Sequence, residues 1–252
     1  MSEPQKKMYS RAEFEQLRKD EAARMVGDKK LWADALDVKY RAGEYFWIHQ
    51  TNWLGEPCLQ LPQDMFAMQE IIFNTKPRYI IEVGTAWGGS LLFYSTLLEI
   101  LGGGEIIGID IYIPDDLKAR IASYGKLSER IHWLDGSSID PATVEKVNKI
   151  TGGSREVMIL LDSHHTHDHV IQELNLYSPL VGKGYYLICG DTTIEYQPES
   201  KVRLRPWGKG NSPKSALDAF MKTNDRFAVD TLIENKLLLT NNPGGYLKCL
   251  KD

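Results

Sequence analysis

Cysteine is scarce: Cys58, Cys189 and Cys249 are the only three in 252 residues, and they are widely spaced. That excludes a disulfide framework and a cysteine-rich zinc site, and it fits a reduced compartment. Long hydrophobic runs are missing too. The longest apolar stretches, such as Val157–Leu161 and Tyr185–Cys189, fall well short of the roughly 18 residues a spanning helix needs. Met1 to Lys7 lead into a charged segment with no apolar signal region, so a cytoplasmic protein without a membrane span is expected. Charge of one sign is not in excess: 30 Lys and Arg against 34 Asp and Glu give a net charge of -4. Such a balance offers no general field for a nucleic-acid backbone. Apolar residues at 42% and charged residues at 25% are ordinary globular usage, which excludes disorder and fibrous repeats.

What is there divides into three zones. Residues 11–41 are charged, with Phe14, Leu17, Met25, Leu31, Trp32 and Leu36 at loosely helical spacing, and read as one or two surface helices. An aromatic, turn-rich stretch follows from Tyr45 to Pro57. Pro62-Gln63-Asp64 then precedes an apolar segment to Ile72, a helix whose start Asp64 would cap. We take residues 1–70 as an N-terminal helical and aromatic extension, a cap or an oligomer interface, and residues 71–252 as the main domain. From residue 78 short apolar runs recur at Tyr79–Val83, Ile106–Ile109, Ile131–Leu134, Val157–Leu161 and Tyr185–Cys189, most of them separated by helix-length segments. That alternation predicts an α/β fold with a parallel sheet buried on both faces. Phe227–Asp230 and Tyr246–Leu250 lack a clear helix between them and read as an antiparallel pair at the sheet edge.

The first run continues as Glu82-Val83-Gly84-Thr85-Ala86-Trp87-Gly88-Gly89-Ser90, a strand, a glycine-containing turn and a helix start. Free N–H groups at a helix start suit an anionic ligand group. The spacing is E-x-G-x-x-x-G-G-S, not the G-x-G-x-x-G of dinucleotide folds, which argues against NAD. The second strand ends at Asp110, where a carboxylate can accept from both ribose hydroxyls. The third ends in Asp135-Gly136-Ser137-Ser138. In a doubly wound sheet all these loops lie at the carboxyl ends of the strands, where ligands bind.

Four of the six histidines fall in Leu161-Asp162-Ser163-His164-His165-Thr166-His167-Asp168-His169, directly after the fourth run. A solvated loop and a zinc site are both open readings of the imidazoles. Asp162 ends strand four and Asp191 follows strand five. Adjacent parallel strands bring the two carboxylates together as a hard oxygen site suited to magnesium or a similar divalent ion. Alternatively, both aspartates cap the helices that follow.

The order Glu82 to Ser90, Asp110, then Gly136-Ser137-Ser138 resembles class I S-adenosylmethionine-dependent methyltransferases. The run from Asp162 to His169, with Gly184 to Thr192, sharpens this to the cephalosporin hydroxylase family, also known as rhamnosyl O-methyltransferases, over about residues 45–250. The resemblance implies a Rossmann-like seven-stranded sheet, mostly parallel with an antiparallel edge strand. In it Gly84 allows close approach of the cofactor, Ser90 holds the methionine carboxylate, Asp110 holds the ribose, and Gly136, Ser137 and Ser138 border the adenine. Glu82, Thr85 and Asp162 belong to the same cofactor set. It also implies Asp162 and Asp191 as metal ligands and His165 as general base. One departure stands out: these families usually place an acidic pair after strand five, and here Gly190 precedes Asp191, leaving water or Glu195 to replace the lost carboxylate.

The expected reaction is metal-assisted O-methylation of a sugar hydroxyl, on a nucleotide sugar, a glycan or a glycosylated natural product. Alternatives are methylation of an antibiotic scaffold such as a hydroxylated cephem, and a non-catalytic cofactor-binding partner subunit. S-adenosylmethionine, with S-adenosylhomocysteine as product, and Mg2+ are the expected cofactors. Nucleic acid is not expected as a partner, and a homo-oligomer is. The basic tract Lys201–Lys214, with Arg203, Arg205, Lys209 and Lys214 around Trp207, could bind a sugar diphosphate through charge-assisted bonds or be a solvated loop. His164, His167 and His169 are expected to support His165 or face solvent.

Overall fold

The computed structural model describes residues 8–198 and 204–252. Its N-terminal part is two helices and a small hairpin. Helix α1 (Arg11–Val26) opens with a capping box, Ser10 and Glu13 each bonding the other's backbone N–H, and buries none of its residues. Helix α2 (Lys29–Gly43), capped by Asp28, buries Ala35 and Lys39. Strands β1 (Asn52–Trp53) and β2 (Glu56–Pro57) pair antiparallel across Leu54-Gly55, both at positive φ.

Helix α3 (Pro62–Thr75) follows, running without a break through residue 70. Asp64 does not cap it. Leu61 is the N-cap residue, Pro62 supplies the preset first helical position, and the Asp64 carboxylate points inward with 0% exposure. There it accepts from the Asn241 backbone N–H (2.8 Å), the Tyr246 hydroxyl (2.8 Å) and the Thr240 hydroxyl. The burial of this aspartate reflects contacts made some 180 residues later, which no local pattern contains.

The alternating βα rhythm then appears as expected: β3 (Tyr79–Val83), α4 (Gly89–Leu101), β4 (Glu105–Asp110), α5 (Asp115–Ala122), β5 (Ile131–Asp135), α6 (Pro141–Thr151), β6 (Val157–Leu161), α7 (His167–Tyr177) and β7 (Tyr186–Cys189). Helix α8 (Pro213–Thr223), β8 (Phe227–Val229), the single turn α9 (Thr231–Glu234) and β9 (Tyr246–Cys249) complete the chain. The seven-stranded sheet has the order β5-β4-β3-β6-β7-β9-β8. All pairings are parallel except those of β9, which slots antiparallel between β7 and β8. The expected antiparallel pair is therefore present, with the later strand inside and β8 at the edge.

Both sheet faces are covered, so residues alternate between two cores rather than between core and solvent. Ile80, Met158, Leu160 and Ile188 point into one core with Leu91 and Tyr94 of α4. Ile81, Ile159, Leu161 and Leu187 point into the other with Leu174 of α7 and Leu217 of α8. Strand order reverses between β3 and β6, which places a crevice outside their carboxyl ends. Among the described residues no helix is long and apolar enough to cross a membrane.

Candidate active site

The crevice is a cleft of about 1290 Å³, lined by Glu82, Gly84, Thr85, Ser90, Asp110, Gly136, Ser137, Ser138, Asp162, His165 and Asp191. Every site residue expected from the sequence faces this one space. The reason is topological: each sits at or just past the carboxyl end of a parallel strand, or at the helix start that follows.

At the first turn, Gly84 has φ +91° and a Cβ there would lie 2.3 Å from the Asp162 carbonyl oxygen. The glycine is thus demanded by the neighbouring strand end, not only by a ligand. Without it β3 and β6 could not stay in register where the Asp162 N–H bonds the Val83 carbonyl (2.8 Å). Asp110 closes the same turn, Oδ2 accepting from the backbone N–H of Thr85 (2.9 Å) and Ala86 (3.3 Å). Glu82 lies beneath at 1% exposure and accepts from the hydroxyls of Ser90 (2.7 Å) and Tyr94 (3.3 Å). Burial raises its carboxyl to about 8, against two lowering hydrogen bonds.

At the second strand end, Asp162, His165 and Asp191 bring one ligand atom each within 4.8 Å of one another. His165 Nε2 is 3.4 Å from Asp191 Oδ2. Gln60, between the hairpin and α3, donates to Asp162 Oδ2 (2.9 Å). Burial, then the charge of Asp191, holds the Asp162 carboxyl well above the usual range. Two carboxylates forced together in this way are a site that a divalent cation relieves, and an imidazole beside them is a borderline ligand for the same ion. The donor set therefore fits a divalent metal. Asp191 is itself held at φ +50°, its N–H bonded to Asn242 Oδ1 (3.0 Å). Glu195 does not make up for the missing carboxylate: it accepts from the Gly210 N–H (3.0 Å) and the Ser212 hydroxyl, pinning the turn at Gly208–Asn211.

The other histidines divide their work. His169 Nε2 lies 3.1 Å from Glu173 Oε1, which also accepts from the Ser163 hydroxyl (2.6 Å) and the Ser138 hydroxyl. This network ties the loop after β5 to the loop after β6. His167 bonds Ser215 Oγ (2.9 Å) and, through its backbone, Asn211 (2.8 Å), docking α7 on α8. His164 is exposed, and its ring meets Trp207 edge-on at 5.4 Å. Trp207 also meets His165 at 4.8 Å, with Arg205 over its own ring. Of the basic tract, Arg205 reaches the cleft, whereas Lys214 pairs with Asp218 on α8. Arg203 and its neighbours Lys201 and Val202 lie outside the described residues.

Sequence reasoning does not single out Lys39, Gln60 and Glu173 as site residues, and names Trp207 only as the centre of the basic tract. Glu173 follows His169 by one helical turn, a spacing that was readable. Lys39 had no local signal: it comes from α2, is 3% exposed, and donates to the Thr240 carbonyl (3.1 Å). Burial lowers its ammonium to about 8, offset in part by Asp191 and Asp64.

Comparison with known proteins identifies the family and the fold. Residues 45–250 match the family model described as rhamnosyl O-methyltransferase/CmcI. A rhamnosyl O-methyltransferase of Mycobacterium tuberculosis is 28% identical over 212 residues, covering 83% of this chain and 82% of its own. Its counterpart in Mycobacterium leprae is 28% identical over 213 residues, covering 83% and 87%. Among solved structures, CmcI with Mg and SAM superposes with a TM-score of 0.56 at 22% identity over 80% of this chain and 77% of its own. An O-methyltransferase from Bacillus cereus in complex with SAH gives 0.53 at 12% identity, covering 89% and 92%. At these identities the superpositions speak to the fold.

Proposed function

The chain belongs to the rhamnosyl O-methyltransferase/CmcI family, and from that premise we propose that it methylates a sugar hydroxyl using S-adenosylmethionine. It is an O-methyltransferase that uses this cofactor together with a divalent cation. The observation that carries the proposal is the cluster of Asp162, His165 and Asp191 at the strand ends, beside the glycine turn.

In this reading the turn from Gly84 to Ser90, Asp110 and the Gly136–Ser138 loop hold the cofactor, with Glu82 below them. Asp162 and Asp191 hold the cation. When bound, such a cation supplies Lewis-acid stabilisation to the acceptor oxygen. His165 takes the hydroxyl proton on Nε2, since a neutral sugar hydroxyl is a poor nucleophile. Trp207, packed edge-on against His165, limits rotation of the imidazole and helps exclude water. The cleft walls align acceptor and cofactor, and such positioning is worth several orders of magnitude.

A second role for His165 is favoured by its place in the three-atom cluster: a third ligand standing in for the carboxylate that Gly190 lacks. Turnover of p-nitrophenyl α-L-rhamnoside and of a hydroxylated cephem, with Mg2+ and then with chelator, tests the reaction and its acceptor. Preferred methylation of the rhamnoside, abolished by chelator, is expected. His165→Ala should keep S-adenosylhomocysteine affinity and Mg2+ affinity while turnover falls about 10²- to 10⁴-fold. A parallel collapse of Mg2+ affinity would make His165 a ligand instead. Cofactor binding with no methylation of any hydroxyl acceptor would leave the non-catalytic subunit as the answer.

A further inference from the structure

Buried polar atoms without partners are few in native proteins, and each asks for an explanation. Among the described residues six side-chain atoms are of this kind, and three of them, Tyr40 Oη, Thr193 Oγ1 and Asn241 Oδ1, belong to residues lining the same cleft. They come from three distant parts of the chain: α2, the 3-10 turn after β7, and the loop before β9. Thr193 and Asn241 are 2% and 3% exposed.

These residues form one continuous wall. The Thr193 N–H bonds the Asn241 carbonyl (3.0 Å). Lys39, next to Tyr40, donates to the carbonyl of Thr240, next to Asn241 (3.1 Å). Two residues before Thr193 stands Asp191, so the wall adjoins the carboxylate pair.

We propose that Tyr40, Thr193 and Asn241 form a polar subsite that binds the ring hydroxyls flanking the one that is methylated. The proposal rests on the sugar-methylation reading above and adds to it where the rest of the acceptor is held. Its chemistry is that of neutral hydroxyls. Asn241 Oδ1 requires a donor, which a carboxylate or phosphate oxygen cannot supply, whereas a hydroxyl donates to Asn241 and accepts from Tyr40 or Thr193. The cation in this wall, Lys39, is already met by the charges of Asp191 and Asp64. Lys39 is a positioning residue here: it fastens α2, and with it Tyr40, onto the loop carrying Asn241.

Tyr40→Phe and Thr193→Val delete only the hydroxyls and keep the packing volume. Their kcat/KM is to be measured on p-nitrophenyl α-L-rhamnoside and on its monodeoxy analogues, with S-adenosylhomocysteine affinity and melting temperature as controls. The wild type should lose about tenfold or more on the analogue lacking a flanking hydroxyl. Each variant should lose a similar factor on the parent sugar, yet little further on that analogue, because the same hydrogen bond has been removed twice. Unchanged kcat/KM on the parent, or losses that simply multiply across every analogue, would overturn the subsite while sugar methylation stands. A wild type that binds S-adenosylhomocysteine but methylates none of these sugars would overturn the sugar reading, and the subsite with it.

Discussion

Gly190 shows how a single side chain can be excluded from a site whose chemistry calls for one. A Cβ at this position would stand 2.7 Å from the Leu161 carbonyl oxygen and 2.8 Å from Asp162 Oδ1. An added carboxylate therefore cannot join the pair without displacing the aspartate it is meant to assist. Gly190→Asp should lower Mg2+ affinity, by tenfold or more, although it restores an acidic pair in sequence; calorimetric titration with Mg2+ checks this. Glu82 carries a different consequence. Its carboxyl is raised by burial from 4.5 to about 8, so the folded chain keeps a proton that the unfolded chain releases. Stability contributed by this group is complete below about 4.5, falls as pH rises through that window, and is fully lost above about 8. Glu82→Gln keeps an acceptor oxygen but cannot ionise. Urea midpoints of variant and wild type should therefore move apart, in the variant's favour, between about pH 5 and about pH 8.

Among the elements, α3 illustrates both what a sequence reading reaches and where it stops. Its existence followed from an apolar run after a proline, but Asp64 in its first turn was assigned to the wrong job. Aspartate beside a helix start is usually a cap; here Asp64 is instead the hub that receives Thr240, Asn241 and Tyr246. Asp64→Ala should cost about 3 kcal/mol, since it strands several buried donors at once. It should also weaken metal binding, because Asn242, beside those donors, holds the Asp191 backbone. Thermal melts with and without Mg2+ would show a smaller metal-induced shift in the variant. By contrast, β3 to β7 and their helices were legible because a doubly covered parallel sheet writes itself as short apolar runs. The placing of β9 between β7 and β8 was not, as strand order is a matter of pairing rather than of local pattern.

For the molecule as a whole, the half of the site carried on strand ends was readable, since topology alone sends Gly84, Asp110, Gly136, Asp162 and Asp191 to one edge. The other half was not. Gln60 meets Asp162 across 102 residues and Lys39 meets Thr240 across 201, and nothing near either residue announces its partner. This closure by residues 240–245 sets an order in which the two sides of the cleft are made. Domains begin to fold from the N-terminal side as they are made, so β3 to β7, with the glycine turn at Gly84, precede the residues that clamp the other side of the cleft. Asn242 and Gly245, whose Cα packs where a Cβ would sit 2.3 Å from the Cys189 carbonyl oxygen, come more than fifty residues after β7. Until they emerge, α2 has no carbonyl to receive Lys39 and Asp191 has no clamp on its N–H. The nascent protein thus makes the Gly84–Asp110 side of the cleft well before the side held by Asn242, and the clamp on Asp191 is the later of the two to close.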